Sequence, residues 1–253
     1  MPGGRRGGYP RIAALVAFAL LCVFPLASMS SCSRGEAQLD ASTIQDLERM
    51  VDGFMGEDGV PGAMVGVWIP GRGNRTAARS EADTATAEAM RDTHLMRIWS
   101  ATKSYTATAV LQPAEEGKLS LVQKLAHFYP DIPYADTITM RQLLSHTSGI
   151  VDEYPDACFR EKSLDPLRRW TPPELIAVSA GAGDPAFPPG EGFHYSNTNY
   201  YLLGAVVEKV TGNGLTEELR ARIFEPLGLD NTSYPDGRGY RGSTPEPTTG
   251  WKG

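Results

Sequence analysis

The segment Ser100–Glu116, SATKSYTATAVLQPAEE, most restricts what this chain can fold into. It is rich in alanine and stops at Gly117, a residue suited to the left-handed turn that closes helices, so a helix is expected across it. Residues three apart share a helix face, which places the Lys103 amine beside the Ser100 hydroxyl, where it can accept or relay a proton. The first amides of a helix lack intrahelical partners and favour negative charge nearby. With 16 serines and 6 lysines, chance alone yields about 0.4 Ser-x-x-Lys pairs in a chain of this length, so the pair gains meaning only from its surroundings. Pro113 inside the helix removes an amide hydrogen bond and predicts a kink or loosening near Ala109.

At 253 residues the chain is long enough for one large domain or two small ones. Its 41% hydrophobic content excludes collagen-like, low-complexity and disulfide-scaffold classes. A net charge of -6 argues against a general nucleic-acid binder, which needs a basic face. The amino-terminal stretch differs from the rest: Arg5, Arg6 and Arg11 precede an apolar run, Ile12 to Ala27, followed by small residues through Ser31. That order predicts a secretory signal over residues 1–31, the run being short for a spanning helix. Cys32 stands where a bacterial lipoprotein signal places its lipidated cysteine, with Met29 where leucine is usual; lipidation there and plain cleavage after Ser30 both remain open. Cleavage before Cys32 removes three arginines and no acid, taking the net charge from -6 to -9. The expected location is outside the cytoplasm, in the cell envelope or secreted.

Residues 32–42 are polar and small and suit a tether, with the folded region expected over 43–253. A helix capped by Ser42 follows, with Ile44, Leu47, Val51 and Phe54 as its apolar stripe, and Val60-Pro61-Gly62 breaks it. Ala63–Ile69 reads as a strand ended by Pro70-Gly71, and Thr76–Thr93 as loop with strand fragments. Further helices are expected over Ile138–Leu144 with Thr139 as cap, over Tyr200–Val210, and from Leu215 to before Pro226.

The four histidines form no ligand pattern such as H-E-x-x-H, so neither a metal nor another cofactor is expected. No G-x-S-x-G occurs, and Gly71-Arg72-Gly73 lacks the context of a phosphate loop. Cys158 has no histidine near it and reads as a small apolar residue. Tyr195-Ser196-Asn197 stands between the turn Phe187-Pro188-Pro189-Gly190 and a helix. A phenol, with its reference pKa of about 10, is a poor base in water, but a neighbouring ammonium such as Lys103 favours the phenolate. The asparagine amide offers both a donor and an acceptor. Alone, this triplet is equally a capped turn with a packed tyrosine.

Taken together, the segments point further. Arg97–Ala107, Glu116–Ser120, Ile138–Gly149, Phe187–Gly190 with Tyr195–Tyr200, and Ile223–Leu229 resemble, in order, the motifs of the penicillin-recognising serine hydrolases that use a tyrosine base. That group includes class C β-lactamases, D-Ala-D-Ala carboxypeptidases and related esterases. The resemblance implies an α+β fold of the β-lactamase/transpeptidase type, with a helical region packed on an antiparallel sheet. It also implies Ser100 as acylated nucleophile, Lys103 as its proton partner and Tyr195 as general base. Asn197 would bond the substrate amide, and the Ser100 amide would supply half of an oxyanion hole. The implied partners are a peptidoglycan stem peptide, a β-lactam or a small ester. His146 lies in a family motif and reads as a structural loop residue.

Three positions depart from the family pattern. Trp99 stands where a glycine is usual, Pro113 where an ordinary apolar residue is, and no Lys/His-Thr/Ser-Gly triplet follows Tyr195. The last departure predicts a catalytic domain lacking its C-terminal strands. An esterase of the same fold and a non-catalytic envelope protein are the competing expectations.

Overall fold

The computed structural model describes residues 39–152, 170–180 and 184–234, which form two compact units, 39–84 with 88–92, and 85–87 with 93–234. Cys32, Cys158 and most of the leading segment lie outside the described residues.

The first unit is one helix on an antiparallel sheet. Helix α1 (Ala41–Asp58) is capped by Asp40, two residues before the expected Ser42. The Asp40 carboxylate accepts from the Thr43 amide at 2.9 Å and from the Ser42 and Thr43 hydroxyls, satisfying an amide that the helix leaves orphaned. These bonds, led by the one from Ser42, hold its carboxyl far below the usual carboxylate range. Strands β1 (Gly62–Ile69), β2 (Gly73–Asp83) and β3 (Glu88–Ala89) follow in sheet order β1-β2-β3, with Gly62 opposite Ser80 and Ile69 opposite Gly73. Ile44, Leu47 and Val51 of α1 line one crevice with Val65, Val67 and Ala77 of the sheet. Phe54, expected in that stripe, is 60% exposed, and Met55 takes the half-buried position instead.

Strand β2 runs where the sequence reads mostly as loop. Its residues, GNRTAARSEAD, include neither the β-branched nor the aromatic alternation that marks a strand, apart from one threonine. On the face toward α1 it carries Arg75 and Arg79, which reach Glu48 at 3.3 and 3.0 Å, while Arg79 also reaches Asp52 at 3.2 Å. Ion pairs to a helix thus occupy positions where apolar residues are expected.

The second unit is helical. It contains α2 (Thr102–Glu115), α3 (Met140–Leu144), α4 (Pro172–Ala180), α5 (Asn197–Thr211) and α6 (Leu215–Leu219), which continues into a π-helical turn, Arg220–Phe224. Helix α5 packs against each of the other four. Its Leu202, Leu203, Val206 and Val207 are fully buried among Val110, Leu125, Ile138, Met140, Leu143 and Leu219. Burial of one such side chain stabilises by roughly 1.5–3 kcal/mol, so α5 carries much of this unit's cohesion. Tyr105 meets Phe224 edge to face at 5.4 Å. Helix α2 runs unbroken through Pro113, which sits near its end and is buried with Ala109 in the core; the loosening expected at Ala109 is not seen. Thr139 caps α3 as expected, in a capping box with Gln142. Helix α4, with Thr171 and Glu174 bonded reciprocally at its start, is an element the sequence reading did not include.

Between α3 and α5, residues 145–152 pair with the segment 186–194. Ala186 N donates to Gly149 O, Gly190 N to Thr147 O and His194 N to His146 O, at 2.8–3.0 Å. Gly149 has φ +80°, and a Cβ there would lie 2.1 Å from the Phe187 carbonyl oxygen. Gly212, at φ +79°, has open space where its Cβ would be. Gly212→Ala therefore costs only backbone strain, about 1 kcal/mol. Gly149→Ala adds a clash with main chain and costs more than about 2 kcal/mol. Denaturant midpoints of the two variants check this; equal losses would contradict it.

Candidate active site

The nucleophile candidate stands on a 3₁₀ turn, Trp99–Ala101, that feeds α2, and Lys103 occupies the first turn of the helix itself. The Lys103 ammonium is 3.3 Å from Ser100 Oγ, as the three-residue spacing requires. Because α2 packs on α5, the head of α5 arrives at the same place. Lys103 Nζ donates to Asn197 Oδ1 at 2.6 Å, and Tyr195 Oη lies 2.8 Å from Ser100 Oγ. Four residues spanning 98 positions thus meet in one hydrogen-bonded group within a single unit. Tyr195 is 42% exposed, so the group opens to solvent on the phenol side. The ammonium also lies 4.8 Å from the centre of the Tyr195 ring and 5.6 Å from that of Tyr200.

The surroundings draw the Tyr195 phenol toward its ionised form. Burial pushes the Tyr195 hydroxyl up, but hydrogen bonding by Lys103 and Ser100, with the Lys103 charge, outweighs it and brings the pKa below the ordinary tyrosine value. Tyr200, close by, moves the opposite way through burial. At any pH below the ordinary tyrosine pKa, Tyr195 is therefore the better proton acceptor of the two.

His146, read as a structural loop residue, ties its loop to the site. Its ring stacks on Tyr195 at 4.5 Å and 27° and lies 5.2 Å from the Tyr200 ring. His146 Nδ1 faces two donors, the Ser196 amide at 3.2 Å and Asn199 Nδ2 at 3.3 Å, so the neutral ring carries its proton on Nε2. Burial first, then the Lys103 charge, lowers its pKa and favours that neutral form. Asn199 is fully buried and accepts from the Ser148 hydroxyl at 2.8 Å, which in turn accepts from the Ile150 amide. The loop 145–152 is thereby tied to α5 through a satisfied polar network.

Asp152 is the site residue that sequence reasoning missed. Its carboxylate accepts from the Asn197 amide at 3.1 Å and from Asn197 Nδ2 at 3.0 and 3.3 Å. The asparagine is thus held on both sides, its oxygen on Lys103 and its nitrogen on Asp152. The only signal was position: Asp152 lies six residues beyond His146 in the same loop, a spacing with no chemical pattern of its own.

Trp99, just before the nucleophile, has φ +46°, the left-handed region that glycine occupies without penalty, and is 81% exposed. Its departure from the glycine of the family pattern therefore strains the backbone at the turn that presents Ser100. Among the described residues, no group of three or more His, Cys, Asp or Glu side chains is arranged to hold a metal ion.

Residues 47–244 match the family model described as Beta-lactamase. Penicillin-binding protein 4 of Amycolatopsis lactamdurans is 32% identical over 216 residues, covering 79% of this chain and 54% of that protein. Among solved structures, a D-stereospecific amidohydrolase from Streptomyces sp. is 37% identical with a TM-score of 0.62, over 75% of this chain and 55% of that one. The D-amino acid amidase from Ochrobactrum anthropi SV3 is 32% identical with the same TM-score, over 72% and 52%. The chain spans about half the length of these relatives, and the expected β-lactamase/transpeptidase-like fold class is borne out. On the family match and the shared fold, this chain belongs to the Beta-lactamase family.

Proposed function

We propose that this chain is a serine acyl hydrolase that cleaves amides and peptides of D-amino acids, D-Ala-D-Ala termini included, and is acylated by β-lactams as analogues of them. The observation that carries the reading is the Tyr195 Oη to Ser100 Oγ contact of 2.8 Å beside an ammonium at 3.3 Å. The names of its relatives, a penicillin-binding protein, a D-amino acid amidase and a D-stereospecific amidohydrolase, support the substrate class.

In the first half-reaction the Tyr195 phenolate takes the Ser100 proton as Oγ attacks the carbonyl carbon. Negative charge developing on the carbonyl oxygen is met by amides at the head of α2, the Ser100 amide among them. Tyr195 then returns the proton to the leaving nitrogen as the C–N bond breaks. In the second, Tyr195 takes a proton from water, which attacks the ester, and Ser100 recovers its proton on release of the acid. Lys103, beside Ser100, favours the phenolate through its hydrogen bond and its charge. We also propose export, with Cys32 as a lipid anchor; Cys32→Ala should then release the protein from membranes, and unchanged membrane association would refute the anchor.

D-phenylalanine amide, a D-Ala-D-Ala peptide and a p-nitrophenyl ester separate the readings. Ser100-dependent turnover of the D-amide or peptide supports the proposal. Turnover of the ester alone would replace it with an esterase, and turnover undiminished in Ser100→Ala would refute both. Tyr195→Phe should lower kcat by roughly 10²–10⁴-fold with the fold intact. Because the Tyr195 pKa is lowered, the acid limb of kcat/KM should lie below the ordinary tyrosine range. Lys103→Met should move that limb to higher pH, since it removes the hydrogen bond and the charge by which Lys103 favours the phenolate; an unmoved limb would count against Tyr195 as the base.

A further inference from the structure

Asn197 presents an ambiguity that its own chemistry does not settle. An amide is nearly symmetric in shape, and one rotation of its side-chain end exchanges acceptor for donor. Turned one way it offers Oδ1 to the Lys103 ammonium. Turned the other way it confronts that ammonium with an NH₂ group, donor against donor. The N-cap residue Ser196 does not decide between them, because its own side chain makes no cap bond.

We infer that Asp152 is a positioning residue that selects the orientation of Asn197 and, through it, holds Lys103 at Ser100. The carboxylate contributes acceptors only, and it takes both the Asn197 main-chain N–H at 3.1 Å and the side-chain Nδ2 at 3.0 Å. Two donors of one residue on one carboxylate leave a single arrangement in which Oδ1 faces Lys103, at 2.6 Å. A bond to an ionised partner is about twice as strong as one between neutral groups, so both ends of the asparagine are firmly held. Asp152 is itself delivered by the loop 145–152, whose neighbour Val151 accepts from the buried Ser196 hydroxyl at 3.1 Å. The network of His146, Ser148 and Asn199 therefore also sets where this carboxylate lies. The inference rests on the proposed role of Ser100, Lys103 and Tyr195, but its test needs no substrate.

The test uses opposing signs. Through space, the Asp152 charge pushes the Tyr195 pKa up, so its removal alone lowers that pKa. If Asp152 also positions Lys103, its removal loosens the ammonium that favours the phenolate and raises it. Among the described residues, the charged and titratable groups facing Tyr195 and its stacked partner are Lys103, Asp152, His146, His194 and Tyr200. The Tyr195 phenol is titrated in the full chain by tyrosine difference absorbance, assigned by subtracting Tyr195→Phe. Asp152→Ala is expected to titrate at higher pH than the wild type. In an Asn197→Ala background the same substitution is expected to titrate lower, because only the through-space effect remains. Asp152→Leu, close in size and without an acceptor, replaces the alanine variant if that does not fold, and Asp152→Asn, which keeps an acceptor oxygen, is expected to restore a titration at or below the wild-type position. A downward shift in Asp152→Ala, or the same upward shift with and without Asn197, would overturn the inference. Where the chain acylates, Asp152→Ala should also slow Ser100 acylation by roughly 10- to 100-fold with little change in KM. A chain inert toward every acyl donor, in which the titrations still reverse sign, would fail the proposed function and leave the positioning role standing.

Discussion

An ammonium held where two helices begin organises this site. Lys103 sits 3.3 Å from Ser100 on its own helix and 2.6 Å from Asn197 at the head of another. The first contact follows from helical spacing, whereas the second requires α2 and α5 to be packed in one register. That register is set by the fully buried Val110, Leu202, Leu203, Val206 and Val207 and cannot shift by a turn without opening the core. Site geometry and core packing are thus one constraint here.

The same ammonium divides the neighbouring aromatic groups by function. Tyr195 and Tyr200 both lie within 6 Å of it, yet only Tyr195 has its hydroxyl drawn toward the ionised form. Tyr200 gives its hydroxyl to the Leu144 carbonyl at 3.1 Å and is pushed up by burial. His146, stacked on Tyr195, is kept neutral by burial and by the same positive charge. A flat uncharged ring thus backs the phenol and adds no second cation to compete for it.

How far the sequence reveals all this depends on the range of the interaction concerned. The Ser100–Lys103 pair and the Thr139 cap were legible because they act within one turn of helix, where spacing and contact coincide. Tyr195 and Asn197 became legible through resemblance, since nothing local to them states that they meet Lys103. Asp152 stayed hidden because its partner is 45 residues away and a lone aspartate in a loop carries no periodicity. Strand β2 was legible only as fragments for a related reason: its inner face is closed by Arg75 and Arg79 against Glu48, and charge pairing leaves no hydropathy alternation. Trp99 was recognised as a departure, but its cost, a left-handed backbone at the nucleophile's turn, is a property of φ alone.

Whether this arrangement makes Ser100 a nucleophile is decided by covalent capture. The full chain is exposed to benzylpenicillin, its intact mass measured with time, and the modified peptide identified after digestion. One added penicilloyl group per chain is expected, located on Ser100, absent in Ser100→Ala and formed far more slowly in Lys103→Met. No adduct on a correctly folded chain, or an adduct located on another residue, would contradict it.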